Sequence, residues 1–415
     1  MTGYFSRVTD DEITERLGYI GAVLIEGPKA CGKTETASQH AKTVVHLDDD
    51  DERLRYQLVP GEFLAQPAPV LLDEWQLEPG VWNRVRREVD KRRDKGQFIL
   101  TGSATPKDDV IRHSGAGRFS VLPMRTMSLF ESGHSSGEVS LAALLRGEDQ
   151  PTLGGGLSVR DIVSRIVIGG WPSLIGVDER MARLWLQDYI SNVVEVDVPK
   201  IDTRRDPEGL RRLLAALGRN VGQPVTLADL ARDVGGESGP VSAETLAAYM
   251  RALRRLHLLD DSPAWLPHMR SRSRLRRAPV RYFVDPSLGP AALRIGATEL
   301  LSDPRALGYH FEALVVRDLR VYAQAQHGRV EAWRDANGKE VDAIVTLDEG
   351  TWGAFEIKLN PSAVDAAAAN LLAFRDRVDD TVHGRPMCLG VITATGAGGR
   401  RADGVDVIPI TALRP

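Results

Sequence analysis

Eight consecutive residues carry the clearest chemistry in this chain: Gly27, Pro28, Lys29, Ala30, Cys31, Gly32, Lys33 and Thr34 satisfy the pattern G-x-x-x-x-G-K-[ST]. Glycines at the two ends let main-chain N–H groups turn inward around phosphate oxygens, and a following helix, opening at Glu35, adds positive potential at its N-terminus. Lys33 is then placed to reach the β- and γ-phosphates of a nucleotide, and the Thr34 hydroxyl to meet Mg²⁺. Farther along, Pro-Val-Leu-Leu ends in Asp73 and Glu74. Four apolar residues closing on two acids describe a buried strand with carboxylates at its C-terminal tip, where ligands of open α/β sheets sit. Asp73 is expected to hold the Mg²⁺ shell and Glu74 to act as general base on an attacking water. Another apolar run ends in Thr101-Gly102-Ser103, so a hydroxyl, with Ser103 preferred, stands ready to sense the γ-phosphate. Arg118 is the candidate for neutralising charge in phosphoryl transfer, and an arginine supplied by a neighbouring subunit would require an oligomer.

A second constellation lies near the C-terminus. Glu312 falls on an amphipathic helical stretch, Asp342 inside EVDAIV, and Glu356 and Lys358 inside AFEIKL. Period-two alternation puts Glu356 and Lys358 on one strand face. Three carboxylates and a lysine of this kind can gather one or two Mg²⁺ ions and position water against a phosphodiester. The histidines show no ligand spacing, so the sequence offers no zinc site.

The elements that must position these residues follow from apolar patterning. Runs at 22–26, 44–47, 69–72 and 97–101 are continuously apolar, as in parallel strands buried on both faces, and helical segments separate them. Residues 1–135 therefore read as a layered α/β domain with right-handed crossovers. Gly- and Ser-rich stretches between 131 and 158 read as a linker. Residues 136–265 turn helical, and TLADLARDVGG followed by SAETLAAYMRALRRLHLLDD suggests a helix–turn–helix of winged-helix type. Residues 266–415 return to mixed structure in the order α-β-β-β-α-β.

At 415 residues the chain is long enough for two or three domains, each with its own core. No apolar run approaches the roughly 18 residues that span a bilayer, so no membrane partner is expected. Two cysteines cannot build a disulfide framework, which fits a cytoplasmic setting. The net charge of −4 excludes a polycation, although local basic stretches remain. One holds Arg84, Arg86, Arg87, Lys91, Arg92, Arg93 and Lys95; another holds Arg270, Arg272, Arg274, Arg276, Arg277 and Arg281. Each reads equally as a nucleic-acid contact or a solvated face.

EGPKACGKTETA, VLLDEWQ, ILTGSA and SGAGRF…PMRTMSLFE together resemble the AAA-type ATPases of bacteria and archaea that carry a C-terminal domain of unknown function. GGWPSL and LQDYISNVVEVDV are similar to linker signatures of the same family. The resemblance implies Mg²⁺-dependent ATP hydrolysis by Lys33, Thr34, Asp73 and Glu74. The C-terminal order with its D…E-x-K residues resembles the restriction-endonuclease-like superfamily. The combined expectation is an ATP-hydrolysing, DNA-binding homo-oligomer, a ring of the hexameric kind included, acting on branched or duplex DNA. The alternatives are a metal-dependent nuclease regulated by ATP, and a protein-interaction module of toxin–antitoxin or defence type with an inactive nuclease-like tail.

Overall fold

The computed structural model describes residues 3–103, 114–154, 156–201, 206–265, 279–335 and 338–415. Arg270, Arg272, Arg274, Arg276 and Arg277 of the second basic stretch lie outside the described residues. The chain divides into two compact units: the first comprises 1–126 with 171–173 and 252–258, the second 127–170, 174–251 and 259–415.

The first unit is built on five parallel strands: β1 (Ala22–Glu26), β2 (Thr43–His46), β3 (Val70–Asp73), β4 (Phe98–Gly102) and β5 (Phe119–Pro123), in spatial order β2-β3-β4-β1-β5. The apolar runs mark β1 to β4 to within a residue, whereas β5, of which only Leu122 is buried, has no such run. Alternation divides the core. Val23, Ile25, Leu71 and Ile99 pack with Ile13 of α1 (Thr9–Tyr19) and Ala37 of α2 (Lys33–His40). Leu24, Leu72 and Leu100 face the other way, against Tyr56 of α3 (Asp50–Leu58), Leu64 of α4 (Pro60–Leu64), and Trp82 and Val85 of α5 (Gly80–Arg92). Asp49 caps α3 by accepting from the Glu52 N–H at 2.9 Å, which fixes the chain where it leaves β2.

In the second unit, the stretch expected to be a linker is packed structure. Strand β6 (Val139–Ser140) leads into α6 (Leu141–Leu144), and Leu141, Leu144 and Leu145 are buried. Strand β6 pairs in parallel with the C-terminal strand at 413–414, and Thr152 bridges Gly398. Glycine and serine content signalled irregular backbone, but the apolar residues between them dock onto the end of the chain. Helix α7 (Val159–Ile168) opens with a Ser158–Asp161 capping box and ends at Gly169, whose φ of 80° suits glycine. Next come α8 (Glu179–Asn192), which runs through a wider turn into α9 (Val198–Ile201), then α10 (Pro207–Arg219), α11 (Leu227–Gly235) and α12 (Ala243–Arg255), whose last residues from 252 on are counted with the first unit. Leu259 then bridges Phe283, and Ser262 bridges Val280, both antiparallel. Helices α13 (Leu288–Leu293) and α14 (Ala297–Ser302) precede the long α15 (Pro304–Gln324).

A six-stranded sheet follows, comprising β7 (Arg329–Arg334), β8 (Glu340–Thr346), β9 (Trp352–Lys358), β10 (Cys388–Thr393), β11 (Gly399–Arg400) and β12 (Asp406–Pro409), in order β11-β12-β10-β9-β8-β7. Helices α16 (Val364–Arg375) and α17 (Asp380–His383) lie between β9 and β10, and β13 (Leu413–Arg414) closes the chain. The α-β-β-β-α-β order expected from patterning is present from α15 to β10, with the short α17 added before β10. A buried ion cluster ties this unit together. Arg317 reaches Asp285 at 3.2 Å and Asp318 at 2.6 Å, while Asp285 accepts from Gly170 N–H and Asp318 from Leu129 N–H. Gly170 must be glycine, since a Cβ there would lie 2.0 Å from the Met127 carbonyl oxygen.

Candidate functional site

The phosphate loop runs from the tip of β1 into α2, and each of its glycines answers a separate steric demand. A Cβ on Gly27 would meet the Met124 carbonyl oxygen at 2.2 Å, whereas Gly32 adopts φ of 100°. Lys33 is buried and donates its ammonium protons to the carbonyls of Gly27 at 3.0 Å and Pro28 at 2.8 Å, so its charge lies inside the loop. Arg7, which no motif marks, holds the loop from outside: its guanidinium donates to the carbonyls of Cys31 at 2.9 Å and Arg125 at 2.8 Å. Cys31 itself is buried in the apolar layer under the loop.

The tip of β3 meets the start of α2 and the tip of β4. Thr34 donates its hydroxyl to Asp73 at 2.8 Å. The same carboxylate oxygen also accepts from Thr101, and Asp73 is buried. A hydroxyl and a carboxylate in contact form an oxygen donor set suited to a hard cation such as Mg²⁺. Glu74 sits one residue beyond the strand in the left-handed region, at φ 50° and ψ 42°. Its carboxylate accepts from Ser103 at 3.0 Å and from the Gln76 amide. Both hydroxyls of Thr101-Gly102-Ser103 thus contact these acids, Thr101 on Asp73 and Ser103 on Glu74. Left-handed backbone at a non-glycine residue costs energy and turns the Glu74 side chain toward Ser103.

Arg118 does not join this site within its own chain. Its carbonyl accepts from Ala22 N–H at the start of β1, its guanidinium pairs with Asp90 at 2.8 Å, and the phosphate loop follows the far end of the same strand. Four residues of strand separate the two ends by about 13 Å.

The register β2–β3 adds residues that spacing did not reveal. His46 is the partner of Asp73 in the pairing, and its Nδ1 lies 3.5 Å from Asp73 Oδ2. Ligand atoms of His46, Asp48 and Asp73 all fall within 4.8 Å of one another. His257, also in the first unit, has a buried Nε2 without a hydrogen-bond partner. Burial and the Lys33 ammonium push its imidazole down to about 4.

In the second unit, Lys358 joins two of the expected acids, with Nζ 3.1 Å from Asp342 and 2.6 Å from Glu356. Asp342 also accepts from Ile357 N–H at 2.7 Å, and Glu356 from Asn370 at 2.6 Å. Burial and the Asp342 charge push Glu356 up to about 7. Burial alone would lower Lys358, but the flanking carboxylates hold it above its ordinary value. Glu312 accepts from Tyr282 and is driven well above the ordinary carboxylate range by burial and by Asp342. Glu312 and Asp342 line a cavity of about 410 Å³ together with Tyr282, Trp333 and Glu340. Glu312, Asp342 and Glu356 do not converge as closely as the His46 group does.

Part of each basic stretch is paired with acids. Arg86 pairs with Asp90, and Lys91 and Arg92 with Glu88. Arg281, expected among the exposed arginines, is buried and paired with Asp261 at 2.7 Å, so it is a structural residue.

Comparison with known proteins matches three successive stretches of the chain. A model described as an AAA domain matches residues 20–132. Two models described as domains of unknown function, DUF8612 and DUF4143, match 159–299 and 307–413. The uncharacterized proteins Rv2008c of Mycobacterium tuberculosis and Mb2031c of Mycobacterium bovis are each 26% identical over 347 residues, covering 81% of this chain and 70% of theirs. A solved structure, the Walker-type ATPase PABY2304 of Pyrococcus abyssi, aligns over 70% of this chain and 96% of its own at 14% identity, with a TM-score of 0.41. The chain thus carries an AAA-type ATPase-like domain at its N-terminal end, followed by two stretches similar to domains of unknown function.

Proposed function

We propose that this protein is a Mg²⁺-dependent ATPase of the AAA type. The observation that carries this reading is the contact between Thr34 and Asp73, which joins the phosphate loop to the tip of β3. The loop amides and Lys33 would bind the triphosphate, with Lys33 exchanging the Gly27 and Pro28 carbonyls for phosphate oxygens. Thr34 and Asp73 would hold Mg²⁺, which when bound neutralises charge on the β- and γ-phosphates. Glu74, oriented by Ser103, would accept a proton from the attacking water. Arg118, at the opposite end of the strands from the loop, would serve the nucleotide of a neighbouring copy in a homo-oligomer. Steady-state phosphate release by wild type, Lys33→Ala and Glu74→Gln tests the reading; equal rates in all three would end it.

The finer part of the proposal is that hydrolysis is coupled to action on DNA. Helices α11 and α12, followed by the antiparallel bridges of Leu259 and Ser262, have the element order of a DNA-binding helix–turn–helix with a hairpin after it. DNA affinity should then fall steeply with salt. A flat response between low and physiological salt would remove DNA from the proposal. The contacts among Asp342, Glu356 and Lys358 favour, as a second reading, an ATP-regulated nuclease. Incubating duplex and branched DNA with Mg²⁺ or Mn²⁺ separates the two, since cleavage must vanish in Asp342→Ala and Lys358→Ala.

A further inference from the structure

We propose that His46, Asp48 and Asp73 form a binding site for a divalent transition ion of the zinc class that is filled without nucleotide. Three features support a built site. First, the donors converge: one atom from each residue lies within 4.8 Å of the others. The 3.5 Å between His46 Nδ1 and Asp73 Oδ2 is close to the separation of about 3.3 Å expected for two donors on one tetrahedral zinc ion. Second, the carboxylate of Asp73 is divided between two tasks. Thr34 and Thr101 both donate to Oδ1, while Oδ2 faces His46.

Third, the segment carrying His46 and Asp48 is held in place by its backbone. Leu47 N–H donates to the Asp73 carbonyl at 3.2 Å, and the Leu47 carbonyl accepts from Arg53 at 2.9 Å. His46 N–H donates to Glu52 at 2.5 Å, and Asp49 N–H to the His46 carbonyl at 3.2 Å. His46 and Asp48 are exposed, so an ion can enter from solvent and water can complete its coordination. An imidazole nitrogen with two carboxylates favours zinc or manganese over magnesium, which demands oxygen and sheds water reluctantly. The net charge of the two carboxylates matches a dication.

The inference shares Asp73 with the Mg²⁺ position of the ATPase reading and so rests in part on it. It also predicts that zinc-class ions compete with productive Mg·ATP. The test is calorimetric titration of Zn²⁺ into the nucleotide-free full chain, with ATP titrated into a parallel sample. One His46-dependent equivalent is expected, weakened about tenfold or more in His46→Ala, the scale on which even outer-shell partners act on a bound metal. Asp48→Asn should weaken it in the same direction. Identical isotherms for wild type and both variants, each with an unchanged thermal midpoint, would overturn the site. Loss of ATP binding in wild type with the Zn²⁺ equivalent intact would sink the ATPase reading alone.

Discussion

Ser103 donates its hydroxyl proton to the carboxylate of Glu74 at 3.0 Å, linking the tips of β4 and β3 beside the phosphate loop. The bond gives Glu74 a fixed orientation and keeps one carboxylate lone pair engaged with Ser103. Glu74→Gln should therefore lower phosphate release about 10²–10³-fold while nucleotide affinity stays within about threefold. Ser103→Ala should lose about tenfold, because it removes the orienting donor and leaves the base. Steady-state turnover together with calorimetric nucleotide binding checks both, and a Ser103→Ala enzyme at wild-type rate would exclude the orienting role.

Gly27→Ala tests the loop sterically. The added methyl would stand 2.2 Å from the Met124 carbonyl oxygen and 3.2 Å from Cys31 Sγ, so backbone must move. Overpacking of this kind costs about 1–3 kcal/mol. Thermal unfolding should show a lowered midpoint, and nucleotide affinity should fall with it because the loop amides are displaced.

Arg317→Met would leave Asp285 and Asp318 buried without their cation. Breaking a buried pair on one side costs about 3–5 kcal/mol, and here two carboxylates are stranded. Urea unfolding monitored by tryptophan fluorescence should shift to lower denaturant, with nucleotide binding in the first unit kept at native urea concentrations.

His310 sets a pH dependence with a definite sign. Burial pushes its imidazole from 6.5 down to about 4, and its Nδ1 has no partner. The unfolded chain therefore binds a proton between about pH 6.5 and 4 that the folded chain refuses. Stability contributed by neutral His310 is complete above 6.5 and lost as pH falls toward 4, by about 3 kcal/mol at most. His310→Gln should flatten the fall in thermal midpoint between pH 7 and 5; an equally steep fall would show that carboxylates alone cause it.

What could be read from sequence was what lies in one contiguous stretch. The phosphate loop, the apolar strands and their acidic or hydroxyl tips are local patterns, and each appeared where the apolar runs placed it. Asp342, Glu356 and Lys358 were also visible, since alternation on β9 fixes which side chains share a face. Two contacts between distant stretches were not. His46 meets Asp73 only through the β2–β3 register, and Arg7 reaches Cys31 from outside the motif. Composition misled in two places. Gly and Ser between 131 and 158 hid apolar side chains that pack, and Arg281 looked like its neighbours until Asp261 was found beside it. Arg118 is a candidate by its chemistry alone, and its place beside the start of β1, away from the loop, follows only from the β1–β5 pairing.

The left-handed backbone at Glu74 has a consequence for how this fold would drift if relieved of selection for hydrolysis. Glycine visits that region without the penalty of about 1 kcal/mol that a side chain incurs. Glu74→Gly should consequently give a chain that melts later and turns over nothing. Durability and turnover pull against each other at this one position, so a long-lived but inert descendant is a single codon change away.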